Sequence, residues 1–219
     1  MVKKKILIVE GNTREENSEF TAVGINTHTE SLIESINFYE KDLDISIANP
    51  SSDNNLKNSI ESLDKYDGMI WGGSSLNIYN DTDEIRRQIS FMRECQLKIK
   101  KIFAICWGLQ VAVTVAGGQV KKSDKGAHRG IAHNIKVNNI GSNHKIYLNK
   151  KRQFNSPAFN FDEVVKIPEG ATLLSSNELN NVMGLNFKTN KSDIWGIQYH
   201  PEITYEKMVS LIHFRKERL

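Results

Sequence analysis

Apolar positions come in short blocks along the first half of the chain. Lys5-Ile6-Leu7-Ile8-Val9 is an apolar run without alternation, which predicts a buried parallel strand. The polar stretch from Gly11 to Thr27 reads as a loop. Thr27 and Glu30 then stand at capping-box spacing, and Leu32, Ile33 and Ile36 give the helix after them an apolar face. Asp44 to Ala48 predicts a second strand, ended by Asn49-Pro50. Leu56, Ile60 and Leu63 mark a second helix, and Asp67 to Trp71 a third strand closed by Gly72-Gly73. Asp81 and Glu84 are placed to cap a third helix carrying Ile85, Ile89 and Met92. Lys101 to Ile105 predicts a fourth strand that runs into a helix from Trp107 to about Ala116.

Strands alternating with helices argue for a mostly parallel sheet covered on both faces. After Gly117-Gly118 the texture changes. Short strand-like pieces fall at 134–137, 145–148, 163–166, 172–174, 182–187 and 194–199, separated by turns such as Asn139-Ile140-Gly141-Ser142 and Pro168-Glu169-Gly170. This half reads as antiparallel or mixed. A last helix, about Tyr205 to Lys216, shows Tyr205, Met208, Val209 and Ile212 on one face. No repeat or low-complexity tract divides the 219 residues, so one domain over 1–219 is expected.

Composition narrows the function classes. A net charge of +3 is too small to imply nucleic acid. Nine Lys or Arg and one acidic residue lie between Lys121 and Arg152, which reads as a solvated basic face or as a docking face for an acidic partner. Two cysteines make no disulfide framework, and a reducing cytoplasm suits them. The apolar run at the N-terminus is too short for a signal peptide, whose core needs about 7–15 residues. Residues 102–118 hold Gln110, Thr114 and three glycines and fall short of the ~20 apolar residues of a membrane span.

The chemistry concentrates at Cys106. An apolar strand ends on it and a helix begins after it, with Gly108 giving room for the turn. In open α/β sheets ligands bind beyond the carboxyl ends of the strands, and the positive end of a helix favours a thiolate. Cys95, on the apolar face of its helix, reads as a small buried hydrophobe. Far downstream His200 ends a strand, Pro201 stops it, and Glu202 follows: a base and the acceptor that orients it. Gly73, with Gly72 as alternate, and Trp107 supply candidate backbone donors for an oxyanion. His28, His128, His133, His144 and His213 show no metal-ligand spacing and read as surface or structural. No metal and no cofactor are expected.

These strings resemble the class I, triad-type glutamine amidotransferases. The Cys-x-Gly-x-Gln elbow of that family reads here Cys106-Trp107-Gly108-Leu109-Gln110, its His-Pro-Glu string is His200-Pro201-Glu202, and its oxyanion glycines are Gly72-Gly73. The chain looks most like stand-alone members similar to the amidotransferase domain of GMP synthetase. The resemblance implies a flavodoxin-like α/β fold. It also implies attack by Cys106 on the side-chain amide of glutamine, a γ-glutamyl thioester, and release of ammonia. Gln110 would help hold the substrate. The chain departs from the family at Ala104, where Gly is frequent, and at Ser74-Ser75, where Pro is frequent after the glycines. It departs again at Phe159-Asn160-Phe161-Asp162, where relatives carry His in place of Asn160 in a string that binds the amino-acid end of glutamine. Asn160 and Asp162 are therefore the candidates for that end.

Three functions fit these residues. The first is a glutaminase subunit feeding ammonia to a separate synthetase, since no Gly-rich phosphate loop is present. The second is a free-standing hydrolase or peptidase of other γ-glutamyl compounds. The third is a non-catalytic regulatory protein of the same fold, against which the intact Cys106, His200 and Glu202 speak. The sequence sets no oligomeric state.

Overall fold

A computed structural model describes residues 3–53 and 55–218. In chain order its first half runs β1 (Lys4–Val9), α1 (Arg14–Ala22), α2 (His28–Tyr39), β2 (Leu43–Ala48), α3 (Lys57–Glu61), β3 (Gly68–Trp71), α4 (Asp83–Lys98), β4 (Lys101–Ile105) and α5 (Trp107–Val115). The second half runs β5 (Gln119–Lys122), β6 (His128–Val137), α6 (Asn139–Ser142), β7 (Gln153–Asn160), β8 (Asp162–Lys166), β9 (Thr172–Ser176), β10 (Gly184–Thr189), β11 (Ser192–Ile197) and α7 (Tyr205–Phe214).

Nine strands form one sheet in the order β2-β1-β3-β4-β11-β10-β9-β6-β7, and β5 pairs with β8 apart from it. Every pair from β2 to β11 is parallel, and every pair from β11 to β7 is antiparallel. The inner parallel strands β1, β3 and β4 carry apolar residues on both faces because both faces are covered. Leu7, Val9, Met69, Trp71, Ile102 and Ala104 pack with α4 and α5 through Ile85, Met92, Cys95 and Leu109. Ile8, Ile105 and Ile197 pack on the opposite side with Leu32 of α2. The capping box holds: the Thr27 side chain accepts from the Glu30 N–H while the Glu30 carboxylate accepts from the Thr27 N–H.

Several expectations are corrected. The stretch read as a loop contains α1, capped by Thr13 and buried only at Phe20, so it has no apolar stripe to betray it. The third helix starts at Asp83 after Thr82, and Asp81 instead pairs with Arg86 at 2.6 Å. The piece at 145–148 is a 3-10 turn over Lys145–Tyr147, pinned by the buried Tyr147 hydroxyl 2.6 Å from Ser175. Strands β5 and β7 carry no alternating pattern; β7 holds Pro157, which an edge strand tolerates. In α7, Met208 and Leu211 are buried against Phe20 and Ile25, while Tyr205 and Val209 stay exposed. The nine basic residues between 121 and 152 are all exposed. Among the described residues no helix is long and apolar enough to cross a membrane.

Candidate active site

The strand order β3-β4-β11 sets three functional strings side by side at the carboxyl ends of parallel strands. Gly72-Gly73 follows β3, Cys106 follows β4, and His200 lies just beyond β11. The ladder between β4 and β11 extends one step past the strands, where the Cys106 N–H donates to Ile197 O at 2.7 Å. That bond ties the thiol to the strand that delivers the base.

Cys106 is the N-cap of α5 and sits at φ 51°, ψ −100°, a left-handed φ that L-residues other than Asn rarely take. The turn needs Gly108 as well, because a Cβ there would lie 2.5 Å from Trp71 O. Cys106 is buried, and its sulfur accepts from Gln198 Nε2 at 3.3 Å. Cys95 is buried too; burial pushes its thiol up and keeps it protonated. The two differ in backbone and neighbours, not in depth.

His200 and Glu202 are both buried, with Nδ1 of the imidazole 2.7 Å from Oε1 of the carboxylate. The ring also hydrogen-bonds Cys106. Burial alone would lower the imidazole pKa, yet Glu202 and then Cys106 outweigh it and raise it to about 10. Glu202 and Cys106 both favour the charged form of the His200 ring.

Of the two glycines, Gly72 donates its N–H to Val9 O at 3.2 Å and accepts from the Gly108 N–H at 3.2 Å. Its amide is committed to the ladder, so the alternate donor is not placed for an oxyanion. The Gly73 and Trp107 N–H groups donate to no described residue. Gly73 lies against the base: a Cβ there would come 2.8 Å from His200 Cε1. The Trp107 indole is locked by its Nε1–H to Gln88 Oε1 at 2.7 Å, and Gln88 in turn donates to Gly11 O at 3.1 Å.

A small cavity beside Cys106 is lined by Gln110, Asn160 and Asp162, as expected, and also by Ser74, Ser75 and Arg215. Asn160 spends its amide inside the protein, Oδ1 on His128 Nδ1 at 2.9 Å and Nδ2 on Asp162 O at 2.9 Å. Asp162 accepts from the Tyr79 hydroxyl at 3.0 Å, and burial raises its pKa.

Two buried residues escaped the sequence reading. His28, read as surface or structural, stacks on His200 with ring centroids 5.5 Å apart and planes 20° apart. Burial holds it neutral, with Lys207 next in effect. Only the capping box at Thr27 signals that His28 opens a helix facing the strand ends. Arg215 carries no motif at all. His28, His200 and Glu202 form the one group of metal-type donors found among the described residues, their ligand atoms within 4.8 Å of one another. His200 and Glu202 already satisfy each other by a hydrogen bond. An ion taken there would remove the base from Cys106.

A thiol on a strand-to-helix turn, with a His–Glu pair delivered by the adjacent parallel strand, is the layout of a cysteine hydrolase built on an open α/β sheet. The family model for glutamine amidotransferase class-I matches residues 25–216, and the chain belongs to that family. It is 31% identical over 210 residues to the gamma-glutamyl-L-1-hydroxyisopropylamide hydrolase of a Pseudomonas species, covering 93% of this chain and 69% of that protein. It is 28% identical over 147 residues to a glutamine-hydrolysing GMP synthase subunit of Sulfolobus acidocaldarius, covering 67% of this chain and 73% of that protein. A solved glutamine amidotransferase from Thermotoga maritima shares the fold with a TM-score of 0.71 at 18% identity, covering 100% of this chain and 85% of that one.

Proposed function

We propose that this chain is a γ-glutamyl amide hydrolase that works without a synthetase partner, in a reducing, cytoplasmic setting. One observation carries the reading: the His200 imidazole interacts with the Cys106 thiol and with the Glu202 carboxylate within a single chain, the latter at 2.7 Å. Similarity to a γ-glutamyl amide hydrolase over 93% of the chain supports it.

The Cys106 thiolate attacks the γ-carbonyl carbon. Charge builds on the carbonyl oxygen, where the Gly73 and Trp107 N–H groups receive it. His200 protonates the departing amine as the C–N bond breaks, leaving a γ-glutamyl thioester. A water then loses its proton to His200 and attacks the thioester, releasing glutamate and the thiolate. Glu202 keeps Nδ1–H of His200 turned toward itself so that Nε2 faces the reaction. Gln110 and Asp162 hold the glutamyl group.

The second reading, a glutaminase that feeds a synthetase, draws on similarity to the GMP synthase subunit. Two measurements on the purified chain separate the readings. Ammonia release from glutamine and glutamate release from γ-glutamyl amides and peptides are followed, with Cys106→Ala as control. Turnover by the chain alone is expected. Ammonia release that starts only when a synthetase is added would replace this reading with the second.

A further inference from the structure

We propose that Arg215 is a specificity residue of this site, binding the α-carboxylate of the γ-glutamyl substrate. The assignment rests on the γ-glutamyl reading above and adds the group that recognises the amino-acid end.

The cavity that holds Cys106 contains one cation and one anion among the described residues, Arg215 and Asp162. A γ-glutamyl group carries the matching set: an acyl carbon at one end, and an ammonium and a carboxylate together at the other. With the acyl carbon at Cys106, the charged end meets the two charged side chains. Asn160, on the same wall, is uncharged and has its amide engaged by His128 and by Asp162 O.

Arg215 is built into place. It follows α7 and is buried, with its guanidinium carbon 5.3 Å from the Phe20 ring centre and 5.4 Å from that of Phe159. Its Nη2 pairs with Glu16 Oε1 at 2.8 Å and meets the Ser75 hydroxyl, which also bonds Glu16. Before substrate arrives, Glu16 balances the buried cation. Ser75 is tied to Asn12 as well, its N–H donating to Asn12 Oδ1 at 3.0 Å. The Ser74-Ser75 segment after Gly73 thus joins the oxyanion side of the site to the guanidinium. A guanidinium set near two rings can make charge-assisted hydrogen bonds to a carboxylate, sharing its charge with Glu16.

The test uses ligands that differ only at the α-carboxylate. L-Glutamine and 4-aminobutanamide, which lacks that group, are titrated calorimetrically into the Cys106→Ala protein with Arg215 intact, as Arg215→Gln and as Arg215→Lys. Glutamine binding is expected to weaken about 30-fold in Arg215→Gln and less in Arg215→Lys, while 4-aminobutanamide changes less than about twofold. Equal loss for both ligands would make Arg215 a structural anchor and overturn the assignment. So would an unchanged affinity, or no glutamine binding to the protein with Arg215 intact. Should Arg215→Gln not fold, Arg215→Lys decides by the same two-ligand comparison. The hydrolase reading fails separately: Arg215-dependent glutamine binding, with no γ-glutamyl turnover by the wild-type chain, would sink that reading and leave this one standing.

Discussion

The imidazole of His28 lies against that of His200, with ring centroids 5.5 Å apart and planes 20° apart. His28 is the first residue of α2, and its neighbour Thr29 donates to the buried Glu10 carboxylate at 2.7 Å, so the ring is fixed from both sides of its backbone. Its Nδ1 bonds no described residue. Kept neutral by burial, it offers a ring face to a protonated partner instead of a second charge. A stacked aromatic pair is worth about 1 kcal/mol, or roughly fivefold in rate if spent on holding the base. His28→Phe is therefore expected to stay within about threefold of wild-type kcat, and His28→Ala to lose about five- to tenfold. Steady-state assays on one γ-glutamyl amide check this. A larger loss in the Phe variant than in the Ala variant would show that the stack is not what matters.

Glu202 sets the charge of the base. His200 has a folded pKa near 10 against about 6.5 for a free imidazole, so the folded chain holds that proton more tightly than the unfolded chain. Below about pH 6.5 both states carry it and the stabilisation is complete; as pH rises toward 10 it is lost. Unfolding free energy should fall across that window in the wild type, and fall less steeply in Glu202→Gln. Urea titrations at several pH values read the slope. In the same variant kcat is expected to drop by about 10²–10⁴, since Nδ1–H loses the acceptor that fixes its tautomer.

The strands of the parallel half were legible because burial on both faces leaves an unbroken apolar run, as in Ile6 to Val9. The strings around Cys106 and His200 were legible for a related reason: Cys106 follows directly on one such strand, and His200 and Glu202 come within five residues of the end of another. Helix α1 was not, because it buries Phe20 alone and lies on α7 rather than on the sheet. The buried face of α7 is hidden on the same account, because Met208 and Leu211 pack on Phe20 of α1 and on Ile25. Edge strand β7 was hidden by Pro157, whose carbonyl nevertheless accepts from the His200 N–H at 2.8 Å. His28 and Arg215 reach the site from helices distant in sequence, and no local spacing marks such residues.

Gly73→Ala tests the closeness of base and oxyanion strand. Gly73 does not need a left-handed φ, so alanine fits its backbone. The new Cβ would lie 2.8 Å from His200 Cε1 and 3.2 Å from His28 Cε1, which forces the stacked imidazoles aside. Misplacement of a reacting group by about 1 Å costs roughly 10²-fold. We expect a kcat loss of that order with a melting temperature within a few degrees of wild type, about what ~1 kcal/mol of destabilisation would produce. Wild-type kcat in this variant would mean that the imidazole has slack the structure does not show.

The strain at Cys106 makes the last prediction. Its φ of 51° with ψ of −100° suits glycine and costs an L-residue about 1–3 kcal/mol. Cys106→Ala and Cys106→Gly both remove the nucleophile and should abolish turnover. Their stabilities should separate in an unusual sense. In ordinary backbone alanine is the more stable of the two, because glycine loses more freedom on folding. At position 106 glycine relieves the strain and alanine keeps it, so Cys106→Gly is expected to be the more stable by about 1 kcal/mol. Urea midpoints of the two inactive variants measure the difference. A more stable alanine variant would show that the turn carries no strain at Cys106, and that the thiol is presented by its neighbours alone.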